Sequence, residues 1–567
     1  MKKKAIQRVW EVSPSISKNF QNKFPEINPI ILQLLVNRGF RTQKKIDEFL
    51  SPDYSQDIHD PFLLKDMKKA VRRIYQAVKN KEKVVICGDY DTDGVTSSTI
   101  LFEVFKKIGI KSLQVSIPDR QKDGYGLNEK AVKSFIKQKI GLIVTCDCGV
   151  SNIKEIDLAN KSNIDVIITD HHREPPKLPN SFAIINPHLG REKYPFKFLA
   201  GVGVAFKLIQ ALLKDKNCPL LDKEATEKWL LDLVALGTIA DFVPLLGENR
   251  LLSKYGLVVL NKTHNLGLKS LIKHSSLETG SLGAEHVCYQ LSPRINAAGR
   301  INQATDALNL FLSLNQVEAD EYAKHLNSLN SQRQRITEKI FKSIKVNEKD
   351  RIIVVSGEDW PMGILGLVAN KLVDAFCRPA LVLGKKGKDL SGSGRSIEGF
   401  DLFSFLKENN KYFKAFGGHS GAVGFTLKGT NCFDSFKQTI LEKGRQILDL
   451  DIIVPKLSIE TEINIGDIDW NFYEELIKFE PFGCKNPQPN FLIKNIILEK
   501  IQSVGKNNQH YRLFAGGGRK MIYFNSASVM TNFKSNQKID IVFKLDVNQW
   551  NGTQELQMKV VDIKKSI

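Results

Sequence analysis

Short apolar runs alternate with amphipathic stretches between residues 70 and 190. Val84-Val85-Ile86 precedes a helical pattern over 95–108, and Leu113-Gln114-Val115-Ser116-Ile117 precedes one over 128–139. Leu142-Ile143-Val144 precedes a third over 151–161, and Val166-Ile167-Ile168 and Ala183-Ile184-Ile185 complete the series. Strands with no polar face are buried on both sides, so the alternation predicts βαβ units around a parallel sheet. Residues 190–315 read mostly as helix. A long polar helix follows over 316–345, where Tyr322, Leu326, Leu329, Ile336, Ile340 and Ile344 keep a spacing of three or four, with Asn315 and Glu318 as its start. At 1.5 Å per residue it would run roughly 45 Å, either as a strut between two lobes or as part of a helical bundle.

A second mixed α/β unit opens at Arg351-Ile352-Ile353-Val354-Val355 and continues through a helix over 363–375 and the strand Ala380-Leu381-Val382-Leu383. After Pro455 the pattern becomes β-rich, with a hairpin turn at Trp550-Asn551-Gly552. About 110 residues of this kind suit a small barrel of the OB type, with a β-sandwich as the alternative. The expected divisions are 1–70, packed on the first lobe; 71–265, the first α/β lobe; 266–345, a helical connector; 346–452, the second lobe; and 453–567, the barrel.

The charge balance narrows the partner. Against 62 acidic residues stand 82 Lys and Arg in a chain of 567, a formal net charge of +20. Such a surplus favours a polyanion, nucleic acid before acidic lipid. Met1-Lys2-Lys3-Lys4 resembles the start of a signal peptide, but Gln7, Arg8, Glu11 and Ser13 interrupt the apolar run that should follow. No stretch is apolar enough to span a bilayer, and eight cysteines without a CxxC pair point to a reducing compartment, the cytoplasm.

Candidate chemistry gathers where the first strands end. Val84–Cys87 runs into Gly88-Asp89-Tyr90-Asp91-Thr92-Asp93-Gly94, Leu142–Cys146 into Asp147, and Val166–Thr169 into Asp170-His171-His172. Open α/β sheets bind ligands outside the carboxyl ends of their strands, so these loops should converge. Carboxylates that close repel one another unless a cation neutralises them, and oxygen donors with one or two imidazoles suit Mn²⁺ or Mg²⁺. Asp241, after an apolar helix, reads as either a cap or a further ligand. Ser391-Gly392-Ser393-Gly394-Arg395-Ser396 and Gly417-Gly418-His419-Ser420-Gly421 are either tight turns or anion-binding loops, and Arg294 and Arg300 add cations in what reads as a loop. Gly201-Val202-Gly203 reads as a helix start.

The four acidic motifs, in this order, resemble those of DHH phosphoesterases, and Gly417-Gly418-His419 is similar to the signature of the companion DHHA1 domain. Trp360-Pro361-Met362-Gly363-Ile364-Leu365-Gly366, the Arg294–Arg300 segment and the terminal β domain narrow the resemblance to single-strand-specific 5′→3′ DNA exonucleases of that superfamily. The resemblance implies that Asp91, Asp93, Asp147, His171 and Asp241 hold one or two Mn²⁺ or Mg²⁺ ions, with Asp147 shared between them. Asp89 and Asp170 would sit alongside, and His172 would orient or contact the scissile phosphate. Arg120, Ser393 and Arg395 would take a 5′ phosphate, Gly418 and His419 the nearby backbone, and Arg294 and Arg300 the strand. Tyr511, Phe514 or Trp550 of the barrel would stack on bases. The implied activity is hydrolysis of single-stranded DNA to mononucleotides in repair and recombination, with a single-strand-binding protein and a helicase as partners and no membrane. Alternatives are a phosphodiesterase for short oligoribonucleotides or cyclic dinucleotides, and a non-catalytic single-strand binder.

Overall fold

The central strands of the first lobe are buried throughout, and alternate residues point to opposite faces, each with its own helices. The computed structural model describes residues 8–120, 123–386, 389–448, 454–550 and 552–566. Strands β1 (Val84–Gly88), β2 (Leu113–Ser116), β3 (Leu142–Cys146), β4 (Asp165–Thr169) and β5 (Ala183–Ile185) form a sheet in the order β2-β1-β3-β4-β5. Every neighbouring pair is parallel. Val84, Ile86, Leu142 and Val144 pack with Val95, Phe105, Val202 and Phe206 from helices Thr92–Lys107 and Gly201–Lys214. Val85, Ile143 and Val166 face the other way, onto Val132, Phe135 and Ile156 of helices Glu129–Gln138 and Ile153–Lys161. With both faces covered, the carboxyl ends of the strands are where the sheet can present polar loops.

The buried helix Leu231–Ala240 packs against Thr92–Lys107 and delivers Asp241 to that edge. The long helix spans Gln316–Ser343, its first turn capped by the Asn315 side chain, which accepts from the Glu318 N–H at 3.0 Å. It lies on helices Leu266–His274, Ser292–Ile301 and Thr305–Leu312 and then meets Met362–Phe376, so it is both a bundle element and a link between the lobes.

In the second lobe, β6 (Ile353–Gly357), β7 (Ala380–Lys386), β8 (Asp389–Arg395), β9 (Phe413–His419) and β10 (Ala422–Leu427) form a mixed sheet in the order β9-β10-β8-β7-β6. Only β6 and β7 pair in parallel. Ser391–Arg395 and Gly417–His419 are therefore strand, and Ser420-Gly421 makes the hairpin turn between β9 and β10. Close packing explains the glycine: a Cβ on Gly394 would lie 2.5 Å from Val423 Cγ2 and 2.7 Å from Leu381 Cδ2. The segment with Arg294 and Arg300 is likewise helix, Ser292–Ile301, because Pro293 sits in its first turn, where its missing N–H costs nothing.

A separate unit joins the residues through Pro52 to Leu450–Phe482 and Asn486–Ile567. Val9–Val12 pairs in parallel with Lys456–Ile459, from Val9 opposite Lys456 to Val12 opposite Ile459. This corrects the expected packing of the whole N-terminal segment on the first lobe: backbone pairing assigns its beginning to the β domain. Phe491–Val504, His510–Ala515, Arg519–Tyr523, Thr553–Lys565 and Gln537–Trp550 follow one another around a barrel, closed where Phe491–Val504 pairs with Gln537–Trp550. Closure fits the OB expectation and not a sandwich. Asn551 and the Trp550 side chain lie outside the described residues. Among the described residues no helix is long and apolar enough to cross a membrane.

Candidate metal centre and arginine pocket

Asp91 caps helix Thr92–Lys107, its Oδ1 accepting from the N–H groups of Asp93 and Gly94 at 3.0 and 3.1 Å. Asp93, in the first turn, is gripped by a second helix: Gly201 N–H donates to Oδ2 and Val202 N–H to Oδ1, both at 2.7 Å. A helix N-terminus favours a carboxylate, yet burial and the neighbouring Asp91 still push Asp93 up to about 7. Asp147 follows β3 at φ +58°, a backbone that non-glycine residues seldom adopt. Burial first, then Asp93, Asp91, Asp241 and Asp89, hold its carboxyl well above the ordinary range. Burial and like charges do the same to Asp89 and Asp241.

His171 stands at the middle. Its Nε2 lies 3.0 Å from Asp147 Oδ1, 3.6 Å from Asp241 Oδ2 and 3.9 Å from Asp93 Oδ2. None of these has hydrogen-bond alignment, so a buried ring nitrogen is left without a hydrogen-bond partner, as is Asp89 Oδ1. Burial, helped by His172, lowers the His171 pKa to about 3, which leaves the imidazole neutral with a lone pair to offer. Ligand atoms of Asp89, Asp91 and Asp147 lie within 4.8 Å of one another; so do those of Asp93, His171 and Asp241, and of Asp147, His171 and His172. Asp147 and His171 each belong to two of these groups. Orphaned buried donors among crowded carboxylates fit a hard divalent cation, and the oxygen-rich set with imidazole fits Mn²⁺ or Mg²⁺.

Asp170 supports the centre from behind. Its Oδ1 accepts from the N–H of His171 at 2.7 Å and of His172 at 3.1 Å, and Oδ2 accepts from Val150 N–H at 2.9 Å. Burial pushes its carboxyl up, but the His172 ring, 2.8 Å away, and these bonds hold it below the usual range. The same contact raises the His172 pKa against the effect of burial. Tyr125, which sequence reasoning missed, donates its hydroxyl to Asp147 O at 2.8 Å and lies 3.1 Å from His172 Nδ1. It stands between Gly124 and Gly126, both at positive φ.

Next to this centre stand arginines that repel one another. Arg120 lies over the Tyr90 ring at 4.9 Å and its field reaches Asp89. Burial lowers the Arg300 pKa to about 9, with Arg120, Arg333 and Arg395 adding to the effect. Arg395 holds Ser393 Oγ at 3.0 Å, and a Cβ on Gly366 would meet its Nη2 at 2.9 Å. Arg294 stands at the edge, donating to Gln290 O and to Asn327 Oδ1, with its charge felt by Arg333. Arg333 escaped the sequence reading because a polar helix face gives no local sign of what it faces. Gly418 and His419 are exposed at the same sheet end as Arg395, with His419 opposite Ala422 and Ala422 opposite Arg395, so about 10 Å from it. Mutually repelling, partly buried guanidiniums could hold a polyvalent anion.

Residues 83–238 match the DHH family N-terminal domain, 349–444 the DHHA1 domain and 459–562 the RecJ OB domain. The Bacillus subtilis single-stranded-DNA-specific exonuclease RecJ is 40% identical over 547 residues, covering 94% of this chain and 68% of that protein. The Dickeya dadantii enzyme of the same name is 31% identical, covering 95% and 97%. The chain belongs to the RecJ family. A Thermus thermophilus RecJ crystallised with Mn²⁺ superposes with a TM-score of 0.84 at 25% identity, over 99% of this chain and 80% of that one. A second RecJ structure bound to manganese gives 0.61 at 29% identity, over 69% and 97%. The first superposition spans the RecJ arrangement of parallel sheet, mixed sheet and terminal barrel.

Proposed function

We propose that this RecJ-family chain hydrolyses single-stranded DNA from its 5′ end and releases 5′-mononucleotides, using Mn²⁺ or Mg²⁺ held by Asp89, Asp91, Asp93, Asp147, His171 and Asp241. One observation carries the reading: a neutral, orphaned His171 Nε2 among buried carboxylates, next to arginines that repel one another. A bound divalent ion supplies a hydroxide at neutral pH and offsets charge on the phosphate oxygens. The protein's own groups do the rest. Asp170 orients His172 and raises its pKa, which favours a ring N–H that donates to a non-bridging oxygen of the scissile phosphate. The Tyr125 hydroxyl lies against the same ring, 3.1 Å from Nδ1.

Arg120, Arg300 and Arg395, with Ser393, would bind the terminal 5′ phosphate, and Gly418 and His419 the backbone near the cut. Binding the end in a closed pocket sets polarity, because the strand can thread no further than its phosphate. A single-strand-binding protein and a helicase in the cytoplasm would supply and present such strands during repair. All eight cysteines are free, in keeping with a reducing compartment.

The test is a time course on single strands labelled at either end, with and without a 5′ phosphate, in Mn²⁺, Mg²⁺ or chelator. Expected are release of 5′ label first, silence in chelator, and faster turnover of the phosphorylated strand. Label leaving first from the 3′ end overturns the polarity; turnover of dinucleotides but not of polymers overturns the substrate.

A further inference from the structure

Asp241 ends the helix Leu231–Ala240, and the next residue, Phe242, turns the chain at φ +58°. Helices commonly close through a left-handed residue, and glycine is the usual one because it has no Cβ to clash. Phenylalanine keeps the clash, and its ring is 65% exposed, so burial does not compensate. A strained backbone and a wetted aromatic ring thus coincide on the residue after a proposed metal ligand, where strain tends to serve function.

A second ring stands on an element bonded to the same helix. Tyr289, 76% exposed, lies in the π-helical turn Val287–Leu291, which interrupts the helical course into Ser292–Ile301. That turn is tied down one residue away, where the Cys288 thiol donates to Ile239 O at 3.7 Å. The arginines act on the carboxylates that open the first helix, Arg120 on Asp89 and Arg300 on Asp91, whereas Asp241, which leads into Phe242, has His171 Nε2 3.6 Å from its Oδ2.

We propose that Phe242, seconded by Tyr289, stacks on a nucleobase 3′ to the bond being cut, holding the strand that remains after each release. The inference rests on the exonuclease reading above. Its chemistry suits a substrate of any sequence, since every base offers a π face.

The experiment uses the full chain in Mn²⁺ with 5′-phosphorylated oligothymidine, intact or carrying one abasic residue at successive positions from the 5′ end. In the unaltered enzyme, one abasic position just past the cut should raise KM about tenfold. Phe242→Gly should raise KM on the intact strand by about the same factor with little loss of kcat, and erase that abasic penalty. Its melting temperature should stay level or rise, because glycine relieves the strained turn. Phe242→Trp should restore the original KM and penalty. An active Phe242→Gly enzyme with unchanged KM, or with the same abasic penalty, overturns the stacking role alone. An unaltered enzyme that leaves oligothymidine intact overturns the exonuclease reading and this inference with it.

Discussion

Asp147 sits where four other carboxylates act on it, so its cost and its use come from the same crowding. Asp147→Asn should lower turnover about 10³-fold, roughly 4 kcal/mol of barrier, by removing a donor common to two candidate groups. The same variant, stripped of metal, should melt at a higher temperature than the parent, because one repelling buried charge is gone. Calorimetry with and without chelator checks both signs. A second residue-scale effect lies away from the centre. Burial, with Asp232 nearby, pushes Glu103 up to about 7. Folded Glu103 therefore keeps a proton that the unfolded chain has released, and the stability it lends is full below about pH 4 and lost as pH rises through 7. Glu103→Gln should flatten the fall in melting temperature between pH 5 and 8; an unchanged slope refutes the assignment. The acidic loops were legible because the apolar runs of the first strands lead straight into them, whereas Asp241, after an apolar helix, read equally well as a cap. Tyr125 and Arg333 were not, since a tyrosine between glycines and an arginine on a polar helix look like surface.

Elements deliver these residues through close approaches. The N-terminus of Gly201–Lys214 grips Asp93, and a Cβ on Gly201 would lie 2.7 Å from both Cβ and Oδ1 of Asp147. Gly201→Ala should displace the Asp147 carboxylate and cut kcat by about 10²-fold, while circular dichroism shows the helices kept. A wild-type kcat would mean that Asp147 has room to spare. Gly201-Val202-Gly203 was readable as a helix start, but not as the floor of the centre, because its contact with Asp147 spans a large gap in the chain. The parallel strands were readable for the opposite reason: runs such as Leu142–Val144 carry their burial in their composition. Arg294–Arg300 misled because Pro293 signals a break unless it falls in a helix's first turn, and β8–β10 misled because glycines that admit Val423 and Leu381 look like turn residues.

For the whole molecule, a net charge of +20 and a cluster of arginines make strand binding an exchange of phosphates for counterions. Affinity for oligothymidine should fall steeply and linearly with salt on logarithmic axes, each phosphate contact contributing about 0.7 to the slope. Arg300→Gln should reduce the slope by about that amount; an identical slope would place Arg300 off the strand. Composition made this partner legible, while the allegiance of the N-terminal segment was hidden, because pairing between Val9–Val12 and Lys456–Ile459 leaves no local trace. That pairing also sets a clock on synthesis. The early strand leaves the ribosome about 450 residues before its mate, a delay on the order of 20–90 s at about 5–20 residues per second. The catalytic sheet, complete at Ile185, can fold in the meantime, while a short β edge stays open to chaperones and to neighbouring nascent chains.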